Sequence, residues 1–144
     1  MKVSEIMSKT LIKTSVESTV ACAARIMDTK NIGAILVENE GVVVGIMTER
    51  DILRKIVSKG ADPGKTTVEE VMVSPITTIS ADKTVEEASE FMNENNIRRL
   101  PVECDGKIVG IVSIRDISGG MRYSLGKSLR SGCNYYRPSY GRPI

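Results

Sequence analysis

The sequence predicts an α/β fold, more narrowly α+β, built from two copies of one β-α-β-β-α unit and closed by a basic C-terminal tail. Three observations carry this. The first is an ungapped internal repeat in which Glu5 to Ile52 aligns with Glu70 to Ile117. Met7 falls on Met72, Thr19-Val20 on Thr84-Val85, Met27 on Met92 and Asn31-Ile32 on Asn96-Ile97. Val44-Gly45-Ile46 falls on Val109-Gly110-Ile111, and Arg50-Asp51-Ile52 on Arg115-Asp116-Ile117. About 18 of some 48 aligned positions are identical, far above chance for a match without gaps. The second is that helical and strand periodicities alternate in the same order within each copy. The third is a break in composition near Ser118. Residues 1–118 carry 15 basic and 18 acidic groups, whereas the remainder carries five basic groups, no acid and all four tyrosines. The units are therefore drawn at 1–64, 65–118 and 119–144.

Each copy opens on a short apolar strand, Leu11-Ile12 in copy one and Ile76 to Ile79 in copy two. A helix follows whose inward face is Val20, Ala23, Ala24 and Met27, or Val85, Ala88 and Met92, at helical spacing. Thr84-Val85-Glu86-Glu87 has the form of a capping box, in which hydroxyl and carboxylate satisfy free amides reciprocally. Two apolar runs come next, Ala34 to Val37 and Val42 to Met47, then Leu100 to Val102 and Ile108 to Val112. Asn39-Glu40-Gly41 and Cys104-Asp105-Gly106 separate them, which marks hairpins. A last helix is expected from Glu49 to Lys59, stopped at Gly60 and followed by the linker Ala61-Asp62-Pro63-Gly64. In copy two Ser118-Gly119-Gly120 stands where copy one has Leu53-Arg54-Lys55, so its last helix is expected short or broken. About fifty residues bury too little surface to be comfortable alone, which gives a physical reason for pairing the copies.

Composition narrows the function. No apolar run approaches a membrane span and no signal-peptide pattern opens the chain, so a cytoplasmic protein without membrane contact is expected. Cys22, Cys104 and Cys133 have neither disulfide nor zinc-ligand spacing. Histidine is absent, which removes the commonest general base and metal ligand. No nucleophile-base pairing takes its place, so the reading is of a protein that is not an enzyme and holds no catalytic cofactor or metal.

After its hairpin each copy runs into one short motif, Gly45-Ile46-Met47-Thr48-Glu49-Arg50-Asp51 and Gly110-Ile111-Val112-Ser113-Ile114-Arg115-Asp116. Two readings fit it. A hydroxyl followed three residues later by a carboxylate, where a strand enters a helix, is a capping box and needs no ligand. The same helix start offers free amides and the positive dipole end to a phosphate, with the Asp free to accept from paired ribose hydroxyls and the Arg to meet phosphate charge.

These motifs, each in a copy opened by a Val/Ile-Met pair and a Thr-Val helix start, resemble the CBS domain, as does Ile97-Arg98-Arg99-Leu100-Pro101-Val102. The resemblance spans residues 1 to about 118 and implies a tandem pair, or Bateman module, with pseudo-twofold symmetry and two clefts for adenosine-containing ligands. It implies that the ribose Asp of one repeat faces an adenine pocket built largely from the other. One cleft, A, then combines Thr48, Arg50 and Asp51 with Pro75, Ile76, Thr77, Ile97 and Arg98. The other, B, combines Ser113, Arg115 and Asp116 with Thr10, Leu11, Ile12, Ile32 and Gly33. Arg99 is a further candidate for phosphate. The implied role is regulatory: AMP, ADP, ATP or an S-adenosylmethionine-like ligand acts as the signal, passed on to a protein target.

Two further expectations concern partners. Ile52, Leu53, Ile56 and Val57 make a wide apolar face, from which a homodimer stacked through equivalent helices is expected. The tail, net +5 against a body of −3, suits docking on protein, while its interleaved Arg and Tyr also suit single-stranded nucleic acid with the paired repeats as scaffold.

Overall fold

The computed structural model describes residues 1–120. The tail expectations fall on residues 121–144 and lie outside the described residues. In chain order the elements are α1 (Val3–Ile6), β1 (Lys13–Ser15), α2 (Val20–Lys30), β2 (Ala34–Asn39), β3 (Val42–Thr48) and α3 (Glu49–Ile52), the last continued by a π-helical turn, Leu53–Val57. Copy two repeats them as α4 (Val68–Val71), β4 (Ile79–Ser80), α5 (Val85–Glu94), β5 (Arg99–Cys104), β6 (Lys107–Ser113) and a helix α6 over 114–120.

Local chemistry accounts for the punctuation. Glu40-Gly41 and Asp105-Gly106 all have positive φ, so both hairpins turn on two-residue loops whose twist matches that of the strands. Thr84 caps α5 by accepting from the Glu87 amide, and the Glu87 carboxylate accepts in return from the Thr84 amide at 2.9 Å. That backbone hydrogen bond holds the Glu87 carboxyl below its ordinary range. Thr19 caps α2 by accepting from the Cys22 amide at 3.1 Å, without a reciprocal carboxylate, and Asn31 closes it in the left-handed conformation.

Each copy forms a three-stranded sheet, in the orders β1-β2-β3 and β4-β5-β6. The first pair is parallel, which requires the helical crossover that α2 and α5 supply, and the second is the antiparallel hairpin. Of the helix faces expected from spacing, Val20, Ala23 and Met27 in one and Val85, Ala88 and Met92 in the other are buried, while Ala24 is half-buried. Strand placement differs from expectation. The paired strands begin at Lys13 and Ile79, beyond Leu11-Ile12 and late in Ile76 to Ile79, because the residues ahead of them are crossing from the other copy.

The cores are reciprocal. Val3 of α1 is fully buried among Ile79, Val85, Leu100 and Val102 of copy two, with Ile6 and Met7 packed against the same cluster. Val68 and Val71 of α4 enter the core of copy one beside Val20, Ile35 and Met47. Backbone hydrogen bonds fix both docks: the Val3 amide donates to the Lys83 carbonyl and the Val68 amide to the Ser18 carbonyl, each at 2.8 Å. Each copy thus completes its core with the lead-in helix of the other.

The final helices differ between the copies. In copy one the stretch from Glu49 is an α turn followed by a π turn, in which the Ser58 amide donates to the Leu53 carbonyl, before Gly60 at positive φ. In copy two α6 runs through Ser118-Gly119-Gly120 without breaking. Burial of Ile117 holds it to the core, enough to offset glycine's cost of about 1 kcal/mol in a helix. Where α6 ends lies outside the described residues.

Candidate functional site

Both motifs fold as capping boxes. The Asp51 carboxylate, through Oδ2, accepts from the Thr48 amide at 2.8 Å and from the Thr48 hydroxyl at 2.9 Å, while Thr48 Oγ1 accepts from the Asp51 amide. Asp116 Oδ2 accepts from the Ser113 amide at 2.8 Å, and Ser113 Oγ accepts from the Asp116 amide at 3.1 Å. Each box uses one carboxylate oxygen. Oδ1 of Asp51 and of Asp116 has no protein partner among the described residues, and both side chains are half-buried. Capping therefore does not exhaust either carboxylate.

The motif glycines have a job that spacing alone did not disclose. A Cβ on Gly45 would stand 2.8 Å from both Met72 Sδ and the Val73 carbonyl, and one on Gly110 would stand 2.8 Å from the Ser8 carbonyl. The lead-in segments press against β3 and β6 here: Val73 pairs with Ile46 and Ser8 with Ile111. Gly45→Ala or Gly110→Ala will therefore lower stability by about 1–3 kcal/mol in chemical denaturation, because backbone must move aside. No change would mean that the segments are not held in this contact.

From those contacts the chain crosses between the sheets. Ser74 Oγ donates to the Val44 carbonyl of copy one, and by Ile79 the chain is in the sheet of copy two, so Pro75, Ile76 and Thr77 span the junction. Thr10, Leu11 and Ile12 make the opposite crossing between Ser8 and Lys13. Ile32 and Ile97 stand half-buried at the exits of α2 and α5. Gly33 and Arg98 stand at the motif helix of their own copy, their carbonyls accepting from the Glu49 and Ile114 amides. Arg99 also reaches across between the copies: its guanidinium covers Gly33, where an added Cβ would collide with it and stand 2.8 Å from the Glu49 carboxylate. Among the described residues no hydrogen bond joins Thr48 or Asp51 to Pro75, Ile76, Thr77, Ile97 or Arg98. Arg50 and Arg115 are exposed, with no carboxylate within ion-pairing distance among those residues.

The two halves are not identical. Lys55 Nζ donates to the Val71 carbonyl at 2.8 Å and closes the gap between the last helix of copy one and α4. Copy two has Gly120 at the equivalent position, and a cavity of about 640 Å³ opens there among Glu5, Ile6, Arg115, Asp116, Gly119 and Gly120. It shares only Arg115 and Asp116 with cleft B. No group of side chains suited to a metal ion occurs among the described residues.

Comparison with known proteins decides the family. The family model described as "CBS domain" matches the chain twice, over residues 3–58 and 68–122. The chain belongs to the CBS-domain family. Its CBS pair is similar to MK0525, an uncharacterized protein of Methanopyrus kandleri, at 36% identity over 119 residues, covering 81% of this chain but 61% of that relative. It is 35% identical over 116 residues to the CBS domain-containing protein YhcV of Bacillus subtilis, covering 81% of this chain and 82% of YhcV. Among solved structures, a putative signal-transduction protein with CBS domains from Burkholderia ambifaria superposes with a TM-score of 0.81 at 28% identity. That match covers 93% of this chain and all of the other. A CBS pair is a regulatory module of a kind that generally binds adenosine ligands. No helix among the described residues is long and apolar enough to cross a membrane.

Proposed function

We propose that this chain is a cytoplasmic sensor that binds an adenosine-containing nucleotide in the clefts between its two CBS repeats and passes occupancy to a protein partner. The observation that carries the reading is the open carboxylate oxygen on Asp51 and on Asp116, each at a helix start. A vicinal ribose diol supplies donors for that oxygen, and the helix start suits phosphate. Regulation follows if the ligand favours one arrangement of the two copies over another. A thermal-shift series with AMP, ADP, ATP, NAD and S-adenosylmethionine tests it. A cognate ligand at a hundred times its Kd adds about 2.7 kcal/mol and raises Tm visibly. No shift with any of the five would remove the reading.

The sensor also acts as a homodimer in this account. Of the four apolar residues expected on the last helix of copy one, Ile56 is buried and Ile52 half-buried, whereas Leu53 and Val57 are 58% and 66% exposed. These two, one turn apart, are the pair that a second copy would cover. Light scattering should find a dimer at micromolar concentration and a monomer for Leu53→Asp/Val57→Asp. A monomeric parent would contradict it.

A further inference from the structure

We infer that the cavity beside Gly120 is a cation site, taking the primary alkylammonium group that copy one supplies to itself through Lys55. The inference stands apart from the nucleotide reading and rests on one difference between the repeats. In copy one Lys55 Nζ donates to the Val71 carbonyl at 2.8 Å and ties the last helix to the end of α4. The residue aligned with Val71 is Ile6, at the end of α1, and the one aligned with Lys55 is Gly120. The two carbonyls are set alike. The Met72 amide donates to the Val68 carbonyl and the Met7 amide to the Val3 carbonyl, which fixes the peptide bearing each acceptor. Backbone angles at Met7 and Met72 are closely similar, and each chain then pairs with its motif strand, Ser8 with Ile111 and Val73 with Ile46. Position 120 stands against Ile6, since a Cβ there would lie 2.8 Å from Ile6 Cγ2. No donor among the described residues reaches the Ile6 carbonyl.

Charge points the same way. Glu5, Arg115 and Asp116 line the cavity and sum to one negative charge. The aligned Glu70, Arg50 and Asp51 sum to the same, and Lys55 balances them. Glu5 and Asp116 each spend one carboxylate oxygen on a helix-start amide, Oε2 on that of Lys2 and Oδ2 on that of Ser113, and each keeps the other. An ammonium group carries three N–H donors and no acceptor, which suits a carbonyl and two carboxylate oxygens. Met1 and Ile6 offer an apolar wall to a short methylene chain. A cation held there joins α1 to α6, as Lys55 joins α4 to the last helix of copy one. Two sources carry this chemistry: the ammonium of Lys127, the one lysine beyond Gly120, and a free alkylamine.

Amide NMR spectra of the full chain, titrated with n-butylammonium chloride, test this, with tetramethylammonium chloride as a cation that has no N–H. Shifts at Met7, Asp116 and Gly120 should saturate with n-butylammonium, in the millimolar range expected for so small a ligand, and not with tetramethylammonium. A parent that responds assigns the site to free amine. A silent parent with a responding Lys127→Ala assigns it to the chain's own lysine. The response should vanish when Ile6→Val/Gly120→Lys, which rebuilds the Val71 and Lys55 pair in copy two, is added to the responding chain. Lys55→Ala, which does not depend on that variant folding, should gain a second saturable set of shifts at Met72. Silence in both the parent and Lys127→Ala would overturn the inference, as would an equal response to tetramethylammonium. So would shifts that persist in the rebuilt chain, or the lack of a second set in Lys55→Ala.

Discussion

Deleting residues 1–7 should destabilise copy two by about 3–6 kcal/mol, although every residue of that copy is untouched. Val3 is fully buried in the second core, and a buried valine contributes about 1.5–3 kcal/mol. Ile6 and Met7 add partial burial, and the backbone donors that α1 gives to Lys83 and Ala81 are lost as well. That total rivals the whole stability of a small domain, about 5–15 kcal/mol, so the truncated chain should melt in two steps, copy two first. Val3→Ala supplies a graded control, with a cost near 2 kcal/mol. Unfolding that stays cooperative at the parent's midpoint would show that α1 does not complete the second core.

Asp51→Asn separates capping from ligand binding. Asp51 is the third residue of the box, with Thr48 as the cap, and Asn keeps one oxygen for the Thr48 amide, so the change should cost only about 0.5–1 kcal/mol in stability. It replaces a two-oxygen anion by a group with one acceptor, and nucleotide affinity at cleft A should fall by about 1.5–3 kcal/mol, roughly 10- to 150-fold. Asp116→Asn should do the same at cleft B while leaving cleft A nearly unchanged. Arg98→Ala keeps the ribose contact and removes a cation, so AMP should lose more affinity than adenosine. Calorimetry on the three variants reads all of this. Parent affinity in every one would mean that the carboxylates are caps only.

The features legible in the sequence are those that a local rule determines. Glu40-Gly41 and Asp105-Gly106 announce their hairpins, and Thr84 with Glu87 announces a capped helix, because the chemistry lies within four residues. The motif boxes at Thr48–Asp51 and Ser113–Asp116 were readable for the same reason. The lead-in helices were not. Four residues such as Val3–Ile6 carry too little periodicity to register, and nothing in a repeat tells on which copy such a helix docks. The same exchange moved the first strands from Leu11-Ile12 to Lys13–Ser15. Gly45 and Gly110 are visible as motif letters, yet their purpose, room for the Val73 and Ser8 backbones, depends on contacts made from the far side of the exchange. Arg99 is a similar case: adjacent to Arg98 in sequence, it reaches across to Gly33. At Ser118-Gly119-Gly120 the helix continues to residue 120, because the tertiary anchor at Ile117 outweighs helix propensity.

The most direct measurement is a crystal structure of the chain grown with AMP. A purine should lie between the Pro75 to Thr77 crossing and Ile97, with its ribose hydroxyls on Asp51 Oδ1 and its phosphate at the start of α3. A nucleotide seated instead in the cavity beside Gly120, or on the outer surface with Asp51 Oδ1 still facing water, would contradict it.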